Sequence, residues 1–169
     1  VTEFRGRGDE IRIYPLNFAE YYEAVKGDWN KAWDAYCTYG GMPALFKFDT
    51  DSEKKEYLKR LFKETYVRDV VERNKIQNET EFEELLDVIA SNIGCLTNPK
   101  KLSDTFNSVQ KSSISEPTTK QYLSYLSEAF LVSKVLRYDI KGKKYISTPY
   151  KIYFEDVGLR NARLNFRQY

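Results

Sequence analysis

Ser115-Glu116-Pro117-Thr118-Thr119-Lys120-Gln121-Tyr122-Leu123-Ser124-Tyr125-Leu126-Ser127-Glu128-Ala129-Phe130-Leu131-Val132 is the stretch whose reading decides the fold. Ser115 is a good N-cap residue, and Pro117 fits a first helical turn, where its missing N–H costs nothing. Tyr122, Leu123, Leu126 and Phe130 recur every three to four residues and mark one inward face. The other face carries Thr118, Thr119, Lys120, Gln121, Ser124 and Ser127. The apolar runs Leu131-Val132 and Val135 to Tyr138 then predict a strand.

Working outward, the polar turn Lys111-Ser112-Ser113-Ile114 separates this helix from an earlier one. That earlier helix opens at Asn98-Pro99, an N-cap followed by Pro, and continues through Leu102, Phe106 and Val109. Before it, Phe82, Leu85, Leu86, Ile89 and Ile93 predict a helix from Thr80 to Ile93, with Thr80 and Glu83 spaced as a capping box and Gly94 as a stop. Downstream lie a basic tip, Lys141-Gly142-Lys143-Lys144, a second strand over 151–154, and Asp156 capping a final helix of about 157–164. Helix, helix, turn, helix, strand, basic tip, strand is the order of a winged helix-turn-helix, expected over 78–156.

The first half reads as a separate helical unit. Ile11 and Ile13 flank polar Arg12 and predict a short strand from Asp9 to Leu16, ended at Pro15. Asn17 caps a helix through Phe18, Tyr21, Tyr22 and Val25 that stops at Gly27. A second helix covers about 29–38 and ends at Gly40-Gly41, after which Met42-Pro43 opens an irregular piece. Asp51 or Ser52 caps a long helix to about Asn74, with Tyr57, Leu58, Leu61, Phe62, Tyr66, Val67, Val70 and Val71 at helical spacing. The fold class expected is therefore mainly α with a small β-hairpin.

Charge divides the chain in the same way. Residues 1–97 hold 14 basic and 19 acidic side chains, a net of −5; residues 98–151 hold 10 and 4, a net of +6. The 169 residues suffice for one large or two small domains, and 41% apolar with 31% charged residues is a globular composition. No apolar run approaches the roughly 18 residues that span a bilayer, so a cytoplasmic protein with no membrane partner is expected. Val1-Thr2-Glu3-Phe4, without an initiator Met, reads as the continuation of a longer chain.

The chain has no histidine, which removes the commonest general base and metal ligand and excludes Ser-His-Asp and Cys-His catalysis within it. Cys37 and Cys95 read as two buried, reduced thiols. Neither a Walker A nor a dinucleotide-binding glycine pattern occurs; Gly6-x-Gly8 lacks a third glycine. Asp69 with Glu72, and Glu83, Glu84 and Asp87, pair carboxylates as a metal-dependent nuclease would. Their helical setting beside Arg68 and Arg73 favours a solvated, ion-paired face, and no metal site is expected. In Arg5-Gly6-Arg7-Gly8, a guanidinium matches phosphate oxygens and an exposed loop explains the same residues. Thr118, Thr119, Lys120, Gln121 and Ser124 suit base edges and phosphates, and Lys141, Lys143 and Lys144 suit a backbone clamp. Against this, the candidate recognition helix has no Arg, and winged helices also dock proteins.

Several motifs together resemble a widespread archaeal and bacterial AAA+-like ATPase family. Gly6-Arg7 followed by Ile11-x-Ile13-x-Pro15-Leu16-Asn17-Phe18-x-Glu20-Tyr21 is similar to that family's exit from the ATPase core, Gly-Arg, a strand, then Pro-Leu-Ser-Phe-x-Glu-Phe. Tyr39-Gly40-Gly41-Met42-Pro43 resembles its lid motif, and Tyr66-x-x-Asp69-Val70 its long lid helix. Tyr122-Leu123-x-x-Leu126-x-x-Ala129-Phe130-Leu131-Val132 and Lys151-x-Tyr153-Phe154-x-Asp156-x-Gly158-Leu159 resemble its recognition helix and closing strand. The resemblance implies an exit strand over 1–16, a helical lid over 17–77, the winged helix over 78–156, and the start of a nuclease-like C-terminal region over 157–169. It implies Arg7 as a nucleotide-contacting residue, an upstream ATPase core as partner, a possible oligomer, and ATP and Mg for the parent protein alone. The chain itself is expected to hold no cofactor and no catalytic constellation. Its expected function is to couple nucleotide state to nucleic-acid or protein contact; the alternative is a free-standing winged-helix DNA-binding regulator.

Overall fold

The computed structural model describes residues 11–110, 113–136 and 149–167. Eight α-helices occur among them: α1 (Phe18–Val25), α2 (Trp29–Tyr39), α3 (Asp51–Arg60), α4 (Arg68–Asn74), α5 (Glu79–Ser91), α6 (Pro99–Val109), α7 (Glu116–Glu128) and α8 (Val157–Arg163). A 3-10 turn, Pro43–Lys47, follows α2, and a π-helical segment, Leu61–Val67, joins α3 to α4. Two strands, β1 (Val132–Val135) and β2 (Lys151–Phe154), pair antiparallel with Val132 opposite Phe154 and Lys134 opposite Ile152. The fold is mainly α with a small antiparallel hairpin, as expected. No helix among the described residues is long and apolar enough to cross a membrane.

Side-chain caps set most helix starts. Asn17 accepts from the Glu20 N–H at 3.1 Å while Glu20 accepts from the Asn17 N–H at 2.9 Å, a full capping box. Asn98 and Ser115 cap α6 and α7 as their sequences indicate. Two starts differ from expectation. Thr50, not Asp51 or Ser52, caps α3, because Glu53 lies three residues on and closes a capping box with it. Helix α5 begins at Glu79 behind Asn78, which places Thr80 inside the helix, so the Thr80–Glu83 box does not form.

The strand expected between Asp9 and Leu16 is also corrected for its described part: residues 11–16 belong to no strand. Ile11 and Ile13 are 83% and 89% exposed, so alternation there serves no buried face. The segment is held at its far end, where the Leu16 N–H donates to Gly41 O at 2.9 Å and the Tyr36 hydroxyl to Leu16 O at 2.9 Å. Nearer its start, Tyr14 meets Phe130 edge-on and the Arg12 guanidinium lies 5.5 Å from the same ring centre.

The long helix expected from 51 to 74 is one rod with a changed pitch. Its buried residues are Leu58, Phe62, Val67, Val70 and Val71. The step from Phe62 to Val67 is five residues, one more than an α-turn supplies, and the π segment inserts the extra residue.

The two halves share one core. Gly94 N–H donates to Ile152 O, and Thr97 and Tyr150 exchange a pair of backbone bonds, so the α5–α6 connection adds a third edge to the hairpin. Helix α8 packs back on α2, α3 and α5. Asp156, its N-cap, is 3% exposed and accepts from the Leu159 N–H at 2.9 Å and from the Gly41 N–H at 2.7 Å. Burial pushes its carboxyl above the ordinary carboxylate value, while N–H donors from Gly41, Leu159 and Gly158 pull the other way. Asn161 donates from one amide nitrogen to both Cys37 O and Thr38 O, satisfying carbonyls at the end of α2. Arg163 spans to α5 through Asp87 at 2.6 Å and Glu83 at 3.0 Å and lies over the Phe62 ring.

This approach leaves no room for side chains at two glycines. A Cβ on Gly158 would lie 1.9 Å from Tyr39 O, and one on Gly40, at φ +78, would lie 2.2 Å from Asp156 Oδ1. Asp156→Ala strands the buried backbone donors that now bond its carboxylate and is expected to cost about 2–5 kcal/mol. Gly158→Ala, which forces α8 off α2, is expected to cost about 1–3 kcal/mol. Urea unfolding of each variant against the parent chain measures both; a midpoint unchanged in Asp156→Ala would show that this carboxylate does not join the halves.

Candidate nucleic-acid interface

Helix α7 carries the residues that the sequence marks as candidates for base contact. Its apolar residues Tyr122, Leu123 and Leu126 are buried, and Tyr122 meets Phe82 of α5 edge-on at 5.2 Å; Phe130, expected on the same face, lies beyond the helix end at Glu128 and is 43% exposed. That packing fixes which face looks outward. Lys120, Gln121 and Ser124 are exposed and Thr118 is half-buried. Gln121 bonds the Tyr125 hydroxyl, and Ser124 donates to Glu128 at 3.0 Å, so both lie in short i,i+4 contacts along the outer face.

Thr119 is a correction. It is 0% exposed, with its hydroxyl donating to Ser115 O at 3.0 Å, and it faces the core rather than a groove of DNA. Its position three residues before Tyr122 places it on the buried stripe, where the hydroxyl is satisfied by the preceding turn. Four candidates, Arg7, Lys141, Lys143 and Lys144, lie outside the described residues.

A groove of about 260 Å³ lies between α7 and the hairpin. Lys120, Leu123, Ser124 and Ser127 form its helical wall, and Val132, Ser133, Lys134, Tyr150 and Ile152 its sheet wall. Sequence reasoning named Lys120 and Ser124 but missed Lys134, which the strand register turns to the same side as Val132 and Ile152. The Lys134 ammonium sits 4.1 Å from the centre of the Tyr150 ring, a cation–π contact that holds the charge at the groove.

The acidic pairs resolve into ion pairs. Asp69 bonds Arg73 and Glu72 bonds Arg68, each at 2.7 Å on an exposed face, while Glu83 and Asp87 hold Arg163. Among the described residues no three His, Cys, Asp or Glu side chains converge as a metal site. The thiols also differ from expectation. Cys37 is half-buried on α2 and Cys95 is exposed after α5, where Gly94 has turned the chain outward; they form no disulfide. Burial, with Asp34 nearby, pushes the Cys37 thiol up, opposite to what an activated nucleophile needs.

Residues 30–169 match a family model described as a domain of unknown function, DUF8612. The chain belongs to the DUF8612 family. It is similar to an uncharacterized protein of Haemophilus influenzae, 34% identical over 95% of this chain and 41% of that protein. It is also similar to an uncharacterized protein of Methanocaldococcus jannaschii, 29% identical over 98% of this chain and 40% of that protein. This DUF8612 chain thus spans about 40% of the length of the curated relatives it matches.

Two substitutions on α7 separate its faces. Thr119→Lys places an unpaired charge in the core and is expected to lower stability by more than about 3 kcal/mol. Ser124→Ala on the outer face is expected to change it by less than about 0.5 kcal/mol. Thermal melts followed by circular dichroism compare them. Cys95 is also expected to react with a thiol reagent at neutral pH well before Cys37, read by mass spectrometry of the singly labelled protein; faster labelling of Cys37 would contradict the burial described.

Proposed function

We propose that this DUF8612 domain is the lid and winged-helix part of an AAA+-type ATPase, and that it couples nucleotide state to nucleic-acid contact through α7 and the hairpin. The observation that carries the reading is the Asp156 clamp. Its carboxylate joins the Gly40-Gly41 turn of the lid half to the end of the hairpin, so a shift of the lid drags the hairpin with it. The order of motifs along the chain and relatives more than twice its length support the same reading. So does exposed apolar surface on the lid side: Trp29 and Trp33 stack at 5.8 Å and both stay about half exposed, beside Phe18. An ATPase core is the partner this surface would meet. Chemistry in such a protein belongs to that core, and the role of this chain is contact and transmission. ATP turnover by the chain alone would overturn the assignment.

The test is a salt titration of binding to mixed-sequence duplex DNA, followed by fluorescence anisotropy. Affinity is expected to fall steeply with salt, and the triple change Lys141→Ala, Lys143→Ala, Lys144→Ala to reduce the slope by up to about 2–3, roughly 0.9 for each phosphate that is no longer neutralised. An unchanged slope and affinity would remove the wing lysines from the interface. No binding at low salt would remove nucleic acid as the partner.

A further inference from the structure

We propose that the groove between α7 and the hairpin receives one unpaired nucleotide, with its phosphate between Lys120 and Lys134 and its base on the apolar floor. This rests on the nucleic-acid reading above and specifies the form of nucleic acid bound. The helical wall repeats at 120, 123, 124 and 127, one face of α7, and the sheet wall at 132, 134, 150 and 152, one face of the hairpin. The walls carry two ammonium groups and no carboxylate, so the complementary ligand is an anion. Ser124 and Ser127 bring hydroxyls to the same space, Ser133 turns to the opposite face of the strand and bonds Glu155, and Leu123, Val132 and Ile152 form a floor without charge. A ligand that is anionic at one end and flat and apolar at the other fits this division.

Size decides between a strand and a duplex. At about 260 Å³ the groove lies just below the low end of small-molecule pockets, roughly 300 Å³, and admits one base and its phosphate. A stacked base pair keeps its faces against its neighbours, so only a single strand or a frayed end can place a base there. Charged grooves that track a backbone while bases stack on aromatic side chains are the general solution for single-strand binding, and Tyr150 is the aromatic residue of this lining. Lys134 is stationed by Tyr150 before any ligand arrives, which lowers the cost of ordering it.

The experiment compares the full chain's affinity for a labelled single-stranded oligothymidylate with that for a mixed-sequence duplex of equal length at one salt concentration. The single strand is expected to bind about tenfold more tightly. Ser127→Trp, which fills the groove from an exposed position, is expected to lower single-strand affinity about tenfold and so abolish that preference. Lys134→Glu, on an exposed strand position, provides the same test without added bulk and is expected to weaken single-strand binding at least tenfold. Salt-sensitive duplex binding with no single-strand preference, or a preference untouched by both variants, would overturn the groove assignment and leave the nucleic-acid reading standing. Binding to neither form would overturn both.

Discussion

One buried carboxylate holds the architecture together. Asp156 caps α8 through Leu159 and, with its other oxygen, takes the N–H of Gly41 from a turn 115 residues earlier in the chain. A carboxylate so deeply placed is tolerable only because backbone donors surround it, and those donors come from both halves of the molecule. Everything near it conforms: glycines at 40 and 158 allow the approach, Asn161 satisfies the end of α2, and Arg163 extends the contact to α5. The acidic and basic halves are therefore not two beads on a string. They meet along α8, which belongs to one half by sequence and to the other by packing.

The proposed function draws on that packing. A helix with a mixed polar face and few cations is a weak nucleic-acid reader by itself. The hairpin adds Lys134 to the groove that Lys120 lines, and α8 packs against both the hairpin and the first-half helices α2 and α3. The function proposed above places contact and transmission on this one set of packed elements, which runs from the Gly40-Gly41 turn through Asp156 to the hairpin.

Much of the fold was legible because its signals are local. Asn17, Asn98, Ser115 and Asp156 act through residues two or three positions away, so their caps could be read from sequence alone. The helical period on α7 gave the buried face, yet the same pattern misplaced Thr119, whose hydroxyl finds its acceptor within the helix and needs no solvent. Signals that depend on distant partners were not legible. Nothing in 11–16 says that neither described strand lies beside it, and nothing near Glu83 or Asp87 announces Arg163. Lys134 entered the candidate site only through strand register, which the sequence near it does not set.

The π-helical segment has a consequence for how this protein tolerates change in length. A core helix ordinarily accepts no insertion or deletion, since one residue turns every later side chain by about 100°. Between Phe62 and Val67 the chain already contains a surplus residue, taken up as a wider turn while Val70 and Val71 still point inward. Losing one residue there would tighten the turn to ordinary α geometry and keep the buried stripe in phase. The middle of the longest rod in the molecule is thus the one place along it where length and side-chain direction are uncoupled, an expansion joint in an otherwise fixed frame.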